Sequence, residues 1–273
     1  MSGLLLAIDG DSLAHRAYHA IPKSIRGNGR PANALVGFGN FLLQLWELER
    51  PESVLVGWDS LETPTYRHEA LPAYQSGREF EDAILEQLDR LPALTSSFGF
   101  AIGKAPGYEA DDFLAAAARV WPGAVDVVTS DRDAFQLVSD RVTILQPVKG
   151  VSELNRIGPA EVRERYGIEP PQVPDFIALR GDPSDKIPGA PGVGPKKAAD
   201  VLKQHGSLEQ ALADGRFPTI ADELRLFRSI ATMDPEAPLP KLGPTPPDWA
   251  GASEHASELG LGALSRRLAE RAQ

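Results

Sequence analysis

Leu4-Leu5-Leu6-Ala7-Ile8 runs directly into Asp9-Gly10-Asp11, and the same junction of a short apolar run with acidic residues recurs along the chain. Val54–Trp58 ends at Asp59, and Phe98–Ile102 is followed a few residues later by Glu109-Ala110-Asp111-Asp112. Val125–Thr129 leads through Ser130 into Asp131-Arg132-Asp133, and a fifth run is Val142–Leu145. These runs are dense in Val, Ile and Leu with little alternation, as expected of strands covered on both faces. Helical patterns lie between them, at Ala32–Glu49, Phe80–Leu91 and Glu109–Val120. Strands alternating with helices predict an α/β fold built on a mostly parallel, doubly wound sheet. In such sheets the ligand site lies beyond the carboxyl ends of the strands, which is where these acids fall.

After about residue 158 the strand patterns stop. Helical patterns at Pro159–Tyr166, Pro171–Arg180, Pro195–His205 and Ile220–Thr232 predict a helical second region, 159–234. The stretch from Pro235 to Pro247 holds six prolines and reads as an extended linker before a short helix, Leu259–Arg271. The expected organisation is thus an α/β core over 1–158, a helical region over 159–234 and a linker with a short helix over 235–273.

At 273 residues the chain is long enough to bury a core without staples. It has no cysteine, which excludes disulfides, thiolate metal sites and cysteine nucleophiles. The apolar start is too short for a membrane span and has no basic segment before it, so a cytoplasmic protein without membrane contact is expected. The net charge of −10 runs against nucleic-acid binding, which depends on Lys and Arg. Its distribution matters more. From Ser12 to Leu45 there is no acid, while Arg16, Lys23, Arg26 and Arg30 are basic, and Lys186, Lys196, Lys197 and Lys203 form a second basic patch.

Taken together, the acids outweigh their separate readings. Alone, Glu109-Ala-Asp111-Asp112 is as well explained as helix-capping acids, Asp131-Arg-Asp133 as a turn, and Gly181-Asp182-Pro-Ser-Asp185 as a turn or cap. Their recurrence at strand ends in one sheet is not explained that way, because like charges so close repel without cations between them. Hard cations such as Mg²⁺ or Mn²⁺ take oxygen ligands. Two of them about 4 Å apart can activate water and stabilise both oxygens of a phosphoryl displacement. Asp182 and Asp185, three apart, can project from one turn.

Residues 188–198 read Pro-Gly-Ala-Pro-Gly192-Val193-Gly194-Pro195-Lys196-Lys197-Ala. Gly192 and Gly194 allow a tight turn, and Pro195 suits a first helical position. The free N–H groups of the helix start beside two lysines make an anion site suited to gripping a phosphate backbone without reading bases. The plainer reading is an ordinary corner between two helices.

The ordered set of Asp9, Asp59, Glu109-Ala-Asp111-Asp112, Ser-Asp131-Arg-Asp133, Gly-Asp182-Pro-Ser-Asp185 and Gly-Val-Gly-Pro-Lys resembles the bacterial 5′→3′ exonuclease and flap endonuclease family. That family includes the N-terminal nuclease domain of DNA polymerase I. His15-Arg-Ala-Tyr-His19 and the Tyr66-Arg67 and Tyr74–Arg78 stretches add to the likeness, which covers about residues 4–232. The resemblance implies a PIN-like nuclease core, with Asp9, Asp59, Glu109, Asp111 and Asp112 serving a first metal or its waters. Asp131 and Asp133 would bridge toward a second metal, completed by Asp182 and Asp185. It also implies a helical arch over about 62–97, with Arg67 and Arg78 meeting the scissile phosphate beside Asp9. A helix–three-turn–helix over about 173–205 would grip duplex DNA through Lys186, Gly192, Gly194, Lys196 and Lys197 and hold K⁺ on backbone carbonyls near Val193, with Arg16 as a further DNA-binding residue from the first basic stretch. Implied partners are DNA with 5′ flaps, nicks or ends, or an RNA–DNA hybrid, bound by a stand-alone monomer in replication and repair. One position departs from the pattern: Gln75 stands where the family has a lysine, in a stretch with seven acids and three arginines. That bears on turnover rate rather than metal binding.

Two other readings start from the same residues. Gln75 and the acidic arch would suit a branched-DNA binder with little or no cleavage. Asp9-Gly-Asp11 after a strand also mimics the nucleophile motif of haloacid-dehalogenase-type phosphatases, but that reading leaves Glu109-Ala-Asp-Asp and the Gly-Val-Gly turn unused.

Overall fold

The computed structural model describes residues 3–60, 62–77 and 79–273. Its strands are β1 (Leu5–Asp9), the two-residue pair β2 (Arg26–Gly27) and β3 (Arg30–Pro31), β4 (Ser53–Gly57), β5 (Ala101–Gly103), β6 (Val125–Val128), β7 (Val142–Lys149) and β8 (Glu153–Ile157). The main sheet runs β5-β4-β1-β6-β7-β8, parallel throughout except that β8 folds back antiparallel on β7. That edge strand was not expected from the sequence. All of β1, β4 and β6 is buried, which is why these strands read as unbroken apolar runs. Their side chains alternate between two cores. Leu5, Ala7 and Val127 face Phe113 and Leu114, whereas Leu6, Ile8 and Val56 face Leu13, Leu35 and Phe38.

The helices of the α/β part are α1 (Gly10–Ala20), α2 (Asn33–Glu49), α3 (Tyr66–Ala70), α4 (Asp82–Ser97) and α5 (Ala110–Val120). The helical part holds α6 (Pro159–Tyr166), α7 (Val173–Arg180), α8 (Pro195–His205), α9 (Leu208–Ala213) and α10 (Ala221–Ala231). Phe176, Val201, Leu202 and Phe227 join the same apolar cluster as Phe113 and Val127. The change near residue 158 is therefore one of secondary structure within a shared core. Among the described residues no helix is long and apolar enough to cross a membrane.

Two expectations need correction. The arch was expected over 62–97, yet α4 runs to Ser97 with Ile84, Leu88, Leu91 and Leu94 buried against the core of α1 and α2. An apolar face this wide is not available to a free-standing arch. Of the expected arch, α3 and its neighbours meet the start of α5, where Thr65 and Tyr74 donate to Glu109 and Arg67 to Asp112. The helix also displaces β5, which starts at Ala101 rather than Phe98, because Phe98 caps α4 and packs against Trp249.

The second correction concerns 235–273. Two helices stand there, α11 (Trp249–Glu258) and α12 (Gly262–Ala269), and they fold back onto the core. Trp249 meets Trp46 edge-on at 5.1 Å, Asp248 N–H donates to the Phe98 carbonyl at 2.9 Å, and Leu261, Leu264 and Leu268 are buried. Proline density signalled an extended path and gave no information on where that path leads. Leu264→Ala is expected to lower the stability of the whole chain by about 2–4 kcal/mol, as for other fully buried leucines. One cooperative denaturation transition shifted to lower denaturant would show it. An unchanged midpoint would make the tail an appendage.

Candidate active site

The chain runs from β1 outward to β4 and β5, then returns to pair β6 on the other side of β1. The carboxyl ends of β1 and β6 therefore lie at a topological switch point. Asp9 ends β1 in register with Gly57, with Asp59 two residues beyond β4 and Asp131 three beyond β6. The start of α5 is drawn to the same place. A Cβ on Gly57 would stand 2.5 Å from the Ala110 carbonyl, so only glycine lets α5 approach this closely. Asp59 then accepts from the Ala110 N–H at 2.8 Å, which locks the Glu109 motif beside β4.

These residues wall one cavity of about 330 Å³. Eight carboxylates line it: Asp9, Asp11, Asp59, Glu109, Asp111, Asp131, Asp133 and Asp185. They come from five separate segments of chain. Local hydrogen bonds set each one. Asp9 accepts from Ser12 N–H at 2.9 Å and from the Thr129 hydroxyl at 2.7 Å. Glu109 accepts from the hydroxyls of Thr65 at 2.8 Å and Tyr74 at 3.0 Å. Asp131 accepts from Asp133 N–H at 2.9 Å.

Crowding shows in the acidities. Burial pushes Asp9 up to about 7, with Ser12 and Thr129 opposing and the charges of Asp59 and Asp131 adding to it. Burial, then Asp59, raises Asp11, while burial and the charges of Asp131, Asp185 and Asp182 raise Asp133. Such a set favours cations, which would supply the charge these oxygens lack. Asp111 Oδ1 is buried with no hydrogen-bond partner in the cavity wall, as expected of an oxygen waiting for an ion or its water. Among the described residues no three acidic or histidine side chains are close enough to enclose one ion alone. A donor set made of carboxylate oxygens suits a hard cation that keeps several of its waters.

Three of the expected site residues lie elsewhere or differ in role. Asp112 is 0% exposed and outside the cavity wall. As the third residue of α5 it points back to accept from Glu109 N–H at 3.0 Å, and it also accepts from Tyr66, Arg67 and Asp234 N–H. Its oxygens are committed to the fold. Arg67, expected at the scissile phosphate, is 1% exposed and paired with Asp112 at 2.8 Å and with Asp111 and Glu109 at 3.2 Å each. Burial alone would lower its pKa, and the charges of Asp111, Glu109 and Asp112 more than reverse this. It therefore braces the acids from within. Asp182 sits near Asp133 but outside the cavity wall. It accepts from Ser184 N–H at 2.8 Å and pairs with Arg180 at 3.2 Å, leaving Asp185 to face the cavity. Arg78 lies outside the described residues.

The expected nucleic-acid residues fall in two places. Arg16 donates to Ser130 Oγ at 3.1 Å and, with His15 and His19, lines a shallow groove that shares Ser12 and His15 with the acid cavity. Lys186, Gly192, Gly194, Lys196 and Lys197 are exposed on or beside the loop joining α7 to α8. Gly192 takes the left-handed conformation at φ 72°, and its carbonyl accepts from Lys197 Nζ at 2.9 Å. Val193 lies in this loop, half-buried.

The family description "5′-3′ exonuclease, N-terminal resolvase-like domain" matches residues 4–167, and "5′-3′ exonuclease, C-terminal SAM fold" matches 168–243. The chain belongs to the 5′-3′ exonuclease family. A protein of Streptomyces coelicolor named 5′-3′ exonuclease is 34% identical across 96% of this chain and 98% of its own length. One of that name from Mycobacterium tuberculosis is 38% identical across 82% and 78%. DNA polymerase I of M. tuberculosis is 42% identical over 230 residues, and the chain spans about a quarter of that relative (25%). In fold, this exonuclease-family chain is similar to bacteriophage T5 flap endonuclease in complex with DNA and metal ions, at TM-score 0.65 and 18% identity over 98% of each chain. The catalytic core of Rad2 with DNA substrate matches at TM-score 0.59 and 14% identity, over 98% of this chain and 90% of that one. The sheet with α1–α5 thus corresponds to the resolvase-like unit of 5′-3′ exonucleases, and α7–α10 fall in the SAM-fold unit.

Sequence reading assigned no role to Asp11, His15 or Tyr74 in this exonuclease-family cavity, and gave Gln75 a bearing on rate alone. Asp11 was seen as part of a cluster but not chosen as a ligand, although it lines the cavity and accepts from Asp59 N–H at 2.8 Å. His15, four residues on in α1, shares its face; the i,i+4 spacing carried that signal. Tyr74 holds Glu109, and Gln75 donates to both the Tyr74 hydroxyl at 2.8 Å and, through its N–H, the Asp185 carbonyl at 3.3 Å. Gln75 therefore links the two sides of the cavity.

Proposed function

We propose that the chain is a structure-specific 5′ nuclease that hydrolyses DNA phosphodiester bonds, as a 5′→3′ exonuclease and at 5′ flaps, with two Mg²⁺ or Mn²⁺ ions in the acid cavity. The observation carrying this reading is the convergence of eight carboxylates from five segments on one cavity at the switch point. Asp9, Asp59, Glu109 and Asp111 would hold one ion or its waters, and Asp131, Asp133 and Asp185 the other. Bound divalent ions there supply an activated water and stabilise charge on the transferring phosphoryl group. The rest of the work falls to the chain. Thr129 and Ser12 aim Asp9, Ala110 N–H aims Asp59, and Arg67 keeps Glu109 and Asp111 in place against their mutual repulsion. The phosphatase reading left Glu109 idle, whereas here it faces the cavity.

Cleavage of a 5′-labelled flap with Mg²⁺, with Mn²⁺ and with chelator tests the proposal. Metal-dependent cuts near the junction support it, and tight flap binding without cleavage would make the chain a binder of branched DNA. The same proposal takes DNA flaps, nicks and ends, or RNA–DNA hybrids, as substrates of a cytoplasmic monomer. It places K⁺ on backbone carbonyls near Val193; duplex affinity that rises with K⁺ would support that placement, and affinity indifferent to K⁺ would remove it. In the Lys196→Ala, Lys197→Ala double variant, duplex affinity is expected to fall by a similar factor for every sequence. The slope of log affinity against log salt becomes shallower by about 0.9 for each phosphate that the variant no longer neutralises. A slope equal to that of the unaltered chain would remove the α8 turn from the DNA-binding surface.

A further inference from the structure

Two arginines stand against the acids of the cavity, and they are held differently. Arg67 is buried among three acids, with its Nε–H bonded to the Ile230 carbonyl. The side chain of Arg180, the last residue of α7, is 25% exposed, and its one ion pair among the described residues is with Asp182 at 3.2 Å. Its guanidinium lies over the Phe176 ring, 5.4 Å from the centroid, and its Nε is buried without a hydrogen-bond partner. A buried N–H left unbonded is unfavourable, so the fold does not hold this side chain by its full set of donors. Arg180 and Asp133 wall one small cavity, and Asp133 also faces the acid cavity, so the guanidinium lies directly behind the second-ion side. Asp182 is committed oxygen by oxygen. Oδ1 accepts from the N–H of Ser184 at 2.8 Å and from its hydroxyl at 2.5 Å, while Oδ2 accepts from Arg180 at 3.2 Å. Its backbone is fixed as well, because N–H and carbonyl both bond to Ile187, each at 2.8 Å. Any approach of Asp182 to an ion is therefore a turn of its side chain, and Oδ2, with a single partner, is the oxygen able to leave.

We infer that Arg180 is a positioning residue for the second ion: it latches Asp182 outside the cavity, and the ion gains this ligand only by taking Oδ2 from it. This rests on the acid cavity holding two ions. Arg180 neutralises Asp182 until the ion does so in its place, so the acid is never left without a counter-charge. The same guanidinium repels a divalent cation beside it. The first-ion side is built otherwise. Asp111 gives Oδ2 to Arg67 but keeps Oδ1 unbonded, so an ion on Asp111 displaces no arginine. The two ions therefore bind unequally, the second more weakly because it breaks the Arg180–Asp182 bond.

The test is Mn²⁺ binding to the full chain without DNA, read as free Mn²⁺ by electron paramagnetic resonance. The unaltered chain is expected to bind one ion tightly and a second more weakly. In Arg180→Gln the second should tighten by roughly tenfold, the scale of one charge-assisted hydrogen bond, while the first stays within about twofold. Arg180→Lys keeps the charge on a less rigid grip and should tighten the second ion by an intermediate factor. It carries the same test if Arg180→Gln fails to fold. Asp182→Asn removes the contested carboxylate, and in that background Arg180→Gln should change the second affinity by no more than about twofold. Tightening that survives in full in Asp182→Asn would mean that Arg180 acts by its field alone, and the latch is overturned. A second ion that binds the Arg180 variants no more tightly than the unaltered chain overturns it too, as expected of an arginine that only braces the fold. Fewer than two ions on the unaltered chain would overturn the cavity reading and this inference with it, whereas two ions indifferent to Arg180 overturn the inference alone.

Discussion

Arg67→Leu is expected to destabilise the protein by roughly 3–5 kcal/mol, a large part of the ~5–15 kcal/mol typical of a folded domain. The guanidinium is buried between Glu109, Asp111 and Asp112, and its Nε–H donates to the Ile230 carbonyl at 3.0 Å, tying α3 to α5 and α10. Leucine fills part of the volume and leaves three acids facing one another without a positive charge. Two further readouts separate this from simple loss of packing. Mg²⁺ should restore more stability to the variant than to the unaltered chain, because an ion bound nearby replaces part of the missing charge. The deficit should also depend on pH. Burial raises Asp111 above its ordinary value; Arg67 opposes that rise, and Asp112, Glu109 and Asp131 add to it. Without Arg67 the folded-state value rises further. A group raised on folding favours the folded state below its unfolded value of about 3.9 and loses that contribution as pH climbs through the folded one. The deficit is thus smallest in acid and grows toward pH 8. Denaturant midpoints at several pH values measure it, and a midpoint shift that is small and flat with pH would return Arg67 to the role at the scissile phosphate expected from sequence.

Asp131→Ala should reduce flap cleavage by roughly a thousandfold, since losing an ion position forfeits several kcal/mol at about 1.36 kcal/mol per decade. Stability should move the other way. Asp131 makes Asp9, Asp111 and Asp133 harder to ionise through its charge, so removing it relieves repulsion in the metal-free protein. In chelator at pH 8 the variant is expected to melt no lower than the unaltered chain, and flap binding in Ca²⁺ should remain measurable. Cleavage within a few-fold of normal would falsify the two-ion assignment. A collapse in melting temperature would show that Asp131 is structural. The contrast with Arg67→Leu is the useful part, because one change removes a charge that opposes folding and the other removes the charge that permits it.

Much of this was written along the chain. Runs buried on both faces carry an unmistakable composition, so the parallel sheet could be read from Leu4–Ile8, Val54–Trp58 and Val125–Thr129, each within a residue or so of the observed strand. The acids at their ends could be read as one site because strand order places strand ends together. Other features gave no local signal. The β8 edge strand, with only Ile157 fully buried, has a mixed pattern typical of a half-exposed hairpin. The arch and the tail were misjudged for a common reason. Whether Leu88, Leu91 or Leu264 face a core depends on what lies opposite, and for these residues the partner is distant in sequence.

The separation of roles within Glu109-Ala-Asp111-Asp112 shows where sequence stops. Residue order alone established that three acids open a helix after a strand, and that they belong with Asp9, Asp59 and Asp131. Only the folded chain decided that Asp111 faces the cavity with an oxygen unsatisfied, while its neighbour Asp112 turns inward to Arg67. A helix turns about 100° per residue, so adjacent acids cannot share a direction. Which direction is the cavity is set by β1, β4 and β6, far away in the chain, and by Arg67 arriving from the arch.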